Sequence, residues 1–462
     1  MWMPAIRWAM LLVCVPLPGA SAPQPADWVP VRWPWADAPS LELLAGSPIN
    51  CLLLQNYPAE LVAAAGNQGL VTLAVIRPGG DAVAAARRAL ASKVSGIVLE
   101  GDFPDDVVAG VRTAAGAAPV IELTARNHIA LGSAAPILGT YQGVWPGISP
   151  LDDKGRAAGP TGSVWIDTNT GFIRAVRAWG DSEVWIGNEP PAKTVVTGAR
   201  YLQAIGDAAI SGARWVVAFD SDFAARLHRR EADALSDWRR MGVLLRYFEQ
   251  HPEWRHMQEY GQLAVVQDPA NGGLLSGGIL DMIAVKHTPV RPVPQQHLTP
   301  EALKGATMAV NVDPASLTPE QRDILRGFAR SGGTLLSGPP GWKDPTPGKI
   351  TLEKAELERL NDMWRDINSM VGRRNLGVRL FNVSSMLSNL LISRDGKAAV
   401  LHLVNYSDYA VENVAVHFIG DYKHAVLTSP EGAEKPLEVY PTEDGGGVDI
   451  DKVSVCATIR LW

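Results

Sequence analysis

The segment VTLAVIRPGGDAVAAARRALASKVSGIVLEGD, residues 71–102, decides the fold. Residues 71–77 form a short apolar run rich in β-branched side chains, 81–92 are Ala-rich, and 96–101 are again a short apolar run. Such a strand, helix and second strand make a parallel pair crossed by the helix. The rhythm continues both ways, with strands expected at 50–55, 119–123, 163–167, 183–187 and 214–220. Ala-rich helices are expected at 104–115, 171–179 and 199–210. The class is therefore α/β, and seven visible strands suit a (β/α)8-type barrel or a depleted version of one. A doubly wound open sheet is the alternative, although no Gly-x-Gly-x-x-Gly follows the first strand. Between 124 and 162 the rhythm lapses, and Gln142-Gly143-Val144-Trp145-Pro146-Gly147 lies in this stretch. A long connection after a barrel strand overhangs the active-site mouth.

The rest of the chain sets outer bounds. At 462 residues, 47% apolar and 19% charged, it can bury several cores. Its 42 basic and 48 acidic residues are spread without a basic block, which argues against nucleic acid as a partner. Arg7, the apolar run 8–15 and Ala20-Ser21-Ala22 read as a signal peptide over 1–22, so the chain is expected to be exported, periplasmic or extracellular. Pro23 after the cut is unusual, and an uncleaved signal anchor is the alternative. No later run is long enough to span a bilayer. Cys14 lies in the signal, while Cys51 and Cys456 are far apart, so neither a disulfide framework nor a cysteine metal site is expected. Residues 23–40, rich in Pro and Trp, read as an exposed arm before a barrel over 41–258.

A second α/β unit of Rossmann-like pattern is expected over 259–345, a helical linker over 346–376, and an antiparallel β-sandwich over 377–462. The middle unit carries Leu317-Thr318-Pro319-Glu320-Gln321, Phe328 and Ser331-Gly332-Gly333-Thr334-Leu335-Leu336. The last carries Leu401-His402-Leu403-Val404-Asn405-Tyr406. In this order the parts resemble glycoside hydrolases with a barrel, a glutamine amidotransferase-like domain and a β-sandwich, the plan of family 42 β-galactosidases. The resemblance is one of body plan, and the barrel motifs diverge. It implies a carbohydrate substrate or ligand. No cysteine lies within 259–345, so amidotransferase chemistry lacks its nucleophile, and the unit reads as structural or homo-oligomer-forming.

Glycoside hydrolysis needs two carboxyl groups and, in the mechanism considered, no cofactor and no metal. Side chains alternate along a strand, so acids at strand ends are assigned to a face by parity. That parity pairs Asp167 with Trp165 and Glu189 with Trp185, and sets Glu100 opposite Leu99, Glu122 opposite Ile121, and Asp220 opposite Phe219. Asp167 and Glu189 are the first catalytic pair, with Glu100 and Asp220 as further candidates. Trp145, Trp165 and Trp185 are candidate sugar platforms, and Glu122 and Arg126 candidate substrate contacts. Arg126 and Arg174 suit either orienting a carboxylate or pairing with it structurally. Asn188-Glu189-Pro190 resembles the Asn-Glu pair of the large barrel glycosidase clan. That resemblance implies a substrate contact for Asn188 and an acid role for Glu189. The clan places its Asn-Glu on the fourth strand and a nucleophilic Glu on the seventh. Here the triplet follows the sixth visible strand, and the seventh ends in Asp220-Ser221-Asp222. Each acid has a plainer alternative, capping the helix that follows.

Two functions follow as expectations: an exported glycoside hydrolase using two carboxylates, or a non-catalytic carbohydrate-binding or scaffold protein on a degenerate barrel. An esterase is disfavoured because no Gly-x-Ser-x-Gly elbow occurs.

Overall fold

The computed structural model describes residues 23–146, 168–267, 288–338, 354–383 and 385–462. Eight parallel strands run in sequential order: β1 (Pro30–Trp33), β2 (Cys51–Leu54), β3 (Val71–Ile76), β4 (Gly96–Glu100), β5 (Val120–Thr124), β6 (Ile137–Thr140), β7 (Glu183–Gly187) and β8 (Arg214–Val216). A parallel bridge from Val31 to Val217 closes the barrel, with the Arg32 N–H donating to the Val217 carbonyl at 2.8 Å. Outside lie α1 (Ala59–Asn67), α2 (Ala82–Ala91), α3 (Asp105–Ala115), α4 (Thr170–Arg177), α5 (Gly198–Ala209), α6 (Ser221–His228) and α7 (Ala232–Glu249). Short 3-10 turns stand in place of helices after β1 and β5. Within the deciding segment, Asp81 starts α2 by accepting from the Ala84 N–H at 2.9 Å.

Two strand positions differ from the sequence reading. Residues 23–40 are not an exposed arm: they supply β1, and Trp28 and Trp33 are buried. The lapse at 124–162 contains β6, a four-residue strand too short to leave a pattern. The expected strand at 163–167, with Trp165 and Asp167, lies outside the described residues.

Alternation sorts the side chains. Cys51, Leu53, Leu73, Val98, Ile121 and Trp185 fill the interior, and Trp28 packs against Trp185 at a tilt of 48°, with centroids 6.4 Å apart. Leu52, Leu54, Ile97, Leu99, Val184 and Ile186 face outward onto the helices. The β5 parity is therefore the reverse of that expected: Ile121 points in and Glu122 points out.

Four parallel strands form the middle sheet, in the order 290–294, 263–267, 308–311, 334–337. A Thr318–Gln321 capping box opens the helix Pro319–Arg330, which covers one face through Leu325. The helix Lys354–Val371, expected as a linker, packs Met363, Trp364 and Ile367 onto the other face. The C-terminal domain pairs a four-stranded with a six-stranded antiparallel sheet around Leu401, Val416, Phe418 and Ile459. It seats directly on α5: a Cβ on Gly206 would lie 2.4 Å from the Cys456 sulfur. Only glycine leaves room for that approach. Both described cysteines are buried and free. Among the described residues no helix is long and apolar enough to cross a membrane.

Burial of Trp28 under the barrel generates a prediction. Trp28→Ala should lower stability by about 3–5 kcal/mol in a urea titration, whereas truncating a residue of an exposed arm costs about 0.5 kcal/mol or less.

Candidate active site at the barrel mouth

Four strand ends converge on one charge cluster at the carboxyl end of the barrel. Glu100, the last residue of β4, is nearly buried, its side chain 9% exposed. Burying an unpaired carboxylate is costly, and two arginines offset the cost. Arg32 from β1 binds Glu100 Oε2, and Arg77 at the end of β3 donates from Nε to Oε1 at 2.9 Å. Arg77 Nη2 also contacts Glu100 Oε1, at 2.8 Å, and bonds Glu189 Oε1. Glu189 stands two residues beyond β7 and is half exposed. The Gln55 amide nitrogen reaches Glu189 Oε1 at 3.3 Å. Turned over, that amide would offer its oxygen to Arg77 at 3.1 Å instead.

Both carboxylates thus touch one guanidinium nitrogen. Two acceptors on a single nitrogen lie no more than about 6 Å apart, twice an N–H···O distance. With eight strands counted, Glu100 ends the fourth and Glu189 follows the seventh. The sequence pattern counts Glu189 on the sixth strand because it passes over both β1 and β6 and counts 163–167 instead.

Burial raises the Glu189 pKa, but the Arg77 hydrogen bond and charge, the Arg32 charge and Gln55 outweigh it, and the net shift is downward. Beside them, Asp102 pairs with His128 at 3.1 Å and accepts from the Ala125 N–H at 2.9 Å. Tyr141 is pushed up by burial and by the charges of Asp102 and Glu100, which places its hydroxyl in the same field.

The other candidates lie elsewhere. Glu122 points out to α3 and pairs with Arg112, so it cannot meet a ligand in the mouth. Asp220 caps α6: its Oδ1 accepts from the Asp222 and Phe223 N–H groups at 3.0 Å, and its Oδ2 from the Tyr201 hydroxyl at 2.8 Å. Its acceptor sites are spent on structure. Trp185 is fully enclosed in the barrel, and Trp145 is wedged edge-on against Trp215 and Tyr201. Neither ring offers a face for stacking. Trp145 instead donates from Nε1 to the Glu189 carbonyl at 3.3 Å, and Asn188 Nδ2 donates to the Gly143 carbonyl at 2.8 Å. These bonds tie the loop after β6 to the residue pair after β7. Arg126 is buried over the Phe172 ring and bonds the Gln142 carbonyl and Asn169 Oδ1 at 2.9 and 2.6 Å. Arg174 faces away from the mouth, donating to the Ser388 carbonyl of the sandwich at 3.0 Å.

Sequence reasoning missed Arg32, Gln55 and Arg77, which complete the cluster, and Asp207, which supports it. Asp207 is fully buried in α5 and accepts from Thr168, Tyr406 and the Asn169 N–H and Nδ2, the last two at 2.8 Å. Burial raises its pKa against those four bonds. Asn169 in turn bonds the Val144 backbone, so the mouth loop is held from the sandwich through Tyr406. The available signal was a lone acid in the Ala-rich helix Gly198–Ala209. Among the described residues no cluster of His, Cys, Asp or Glu suits a metal ion.

No family model matches the chain, and no curated protein matches it. Solved structures do. An α-L-fucosidase isoenzyme 2 from Paenibacillus thiaminolyticus superposes with TM-score 0.57 at 9% identity, over 92% of this chain and 96% of that one. A GH42 β-galactosidase from G. stearothermophilus gives TM-score 0.40 at 9% identity, over 87% and 66%. A rhamnosidase from Novosphingobium sp. PP1Y gives TM-score 0.39 at 13% identity, over 88% and 38%. The fucosidase superposition shows the fold alone, a glycosidase-like barrel followed by further domains.

Arg77→Met should raise the Glu189 pKa toward the ordinary carboxylate value, read by carboxyl carbon NMR of Glu-labelled protein. An unmoved resonance would mean that Arg77 does not control this carboxylate.

Proposed function

We propose that the chain is an exported glycoside hydrolase acting on oligosaccharides at the barrel mouth, with Glu189 and Glu100 as its carboxyl pair. One observation carries the reading: acids from the fourth and seventh strands meet on the single Arg77 guanidinium. The separation this permits includes the ~5–5.5 Å of a retaining pair. The fold shared with a fucosidase is consistent with it, although a fold alone does not specify chemistry.

Roles follow from environment. Glu189, half exposed and held ionised, is the nucleophile that attacks the anomeric carbon and forms a glycosyl-enzyme bond. Glu100 must then carry the proton that passes to the leaving oxygen. A sugar ring seated in the mouth lies beside Arg77 and Glu189, which are more exposed than Glu100, and its leaving oxygen faces Glu100. Water subsequently attacks the glycosyl carbon, Glu100 takes its proton, and Glu189 leaves as carboxylate. Asp167 remains a candidate from sequence alone.

A second reading, a carbohydrate-binding protein without turnover, is favoured by a different observation. Both oxygens of Glu100 already accept from arginine, so each acceptor is engaged before a leaving-group oxygen arrives.

A panel of aryl glycosides, with binding measured in parallel on a glycan array, separates the readings. If the hydrolase reading holds, Glu189→Gln should lower kcat/KM by about two to four orders of magnitude, the scale of losing an essential group. The acid limb of the wild-type pH profile should fall below the ordinary carboxylate range. The sign follows from the lowered Glu189 pKa: the nucleophile stays ionised until the pH drops through that depressed value. Glycan affinity with no cleavage in wild type would instead establish the binding protein.

A further inference from the structure

Opposite the mouth, where the barrel's amino end meets the other two domains, lies a cavity of about 570 Å³. That volume is within the roughly 300–1,000 Å³ of small-molecule sites. Its wall combines the ends of α4, α5 and α7 with residues 291–292 of the middle sheet and Leu391, Arg394 and His402 of the sandwich. Trp254 and His251 stack at 4.0 Å along one side. His402 is fully buried and its pKa is pushed down to about 3, first by burial and then by His251, so its ring is neutral near pH 7.

The charge of the wall does not balance. Six arginines line it, against Asp181, Glu249 and Glu259. Glu249 is taken by Arg214 at 2.9 Å and Arg255 at 2.5 Å, and Glu259 faces Arg174 at 3.7 Å. Asp181 is exposed at the rim. Arg177, Arg291 and Arg394 have no carboxylate within ion-pair distance among the described residues. Among the described residues Arg177 donates to the Gly212 and Arg255 carbonyls, and the charges of Glu259, Glu183 and Asp181 act on it from beyond ion-pair distance. Arg291 bonds the Lys304 carbonyl through Nη1 at 3.0 Å, while its Nε and Nη2 are buried without a hydrogen-bond partner among the described residues. Buried guanidinium donors left unmatched are costly, and an anion with several oxygens is the group that matches their planar fork.

We propose that this cavity binds an anionic small molecule of about monosaccharide size, held through phosphate or carboxylate oxygens by Arg177, Arg291 and Arg394. The volume far exceeds the ~30 Å³ share of one water, so the site suits an organic anion better than a lone ion. Because the cavity draws on all three domains, its ligand ties them together. Binding only to the folded chain raises thermal stability by mass action.

The test titrates the full chain with glucose 6-phosphate, glucuronate and neutral glucose at matched ionic strength, by calorimetry and by thermal unfolding. Saturable binding of either anion with a raised Tm, and none of glucose, supports the proposal. The tighter of the two anions identifies phosphate or carboxylate as the recognised group. An Arg291→Met/Arg394→Met double variant keeps Arg177 and its backbone bonds, and should weaken binding at least about tenfold, the scale of a lost charge-assisted hydrogen bond. Circular dichroism confirms that it folds. No saturable anion binding, equal binding of glucose, or unchanged affinity in the folded double variant would overturn it. Glu189→Gln should leave this binding unchanged, which separates the result from the fate of the mouth.

Discussion

A carboxylate at the end of a barrel strand, surrounded by apolar interior, must find positive charge or become neutral, and Glu100 finds it twice. Arg32 and Arg77 come from the first and third strands, so one ion pair crosses the barrel and the other joins neighbouring strands. That requirement links the strands that shape the mouth. It also explains why β1 belongs to the barrel despite its Pro- and Trp-rich sequence. Arg32 faces inward to Glu100, while its backbone N–H closes the ring onto Val217. Arg77, more exposed, extends the same charge balance outward to Glu189.

The mouth is supported from behind by buried polar groups. Asp207 lies in an Ala-rich helix, yet each of its oxygens accepts hydrogen bonds. Its partners belong to the segment before α4 and to Tyr406 of the sandwich, so the C-terminal domain helps position the barrel loops. The glycine at 206 permits this by letting α5 approach Cys456. Fully satisfied buried networks of this kind rigidify a single arrangement. The motif around His402-Leu403-Val404-Asn405-Tyr406 is thus an interface element. Gln203 donates to the Asn405 and Ser407 carbonyls at 3.2 and 3.1 Å, one helical turn from Asp207.

Much of the fold was legible in sequence because hydrophobic periodicity reports burial locally. The unit at 71–102 and the strands at 50–55, 119–123, 183–187 and 214–220 fall where the alternation placed them. The β6 strand escaped because four residues ending in Gly139-Thr140 carry no period, and β1 escaped because prolines and tryptophans dominate its surroundings. At the site, Glu100 and Glu189 could be nominated by strand-end parity. Glu122 failed the same test because β5 has apolar residues on both faces, Val120 outward and Ile121 inward, and parity cannot say which face is the interior.

What the sequence by itself determined was the alternation of strands and helices, the order of three folded units, and a short list of acids near strand ends. These are properties of nearest neighbours along the chain. Only the tertiary structure decided that Arg32, Arg77, Glu100 and Glu189 share one cluster, that Trp145 and Trp185 are packing, and that Asp220 is a cap. The reason is geometric: residues as much as 157 positions apart in Arg32 to Glu189 are brought together by barrel closure. No local pattern encodes which strand ends will face each other across a ring.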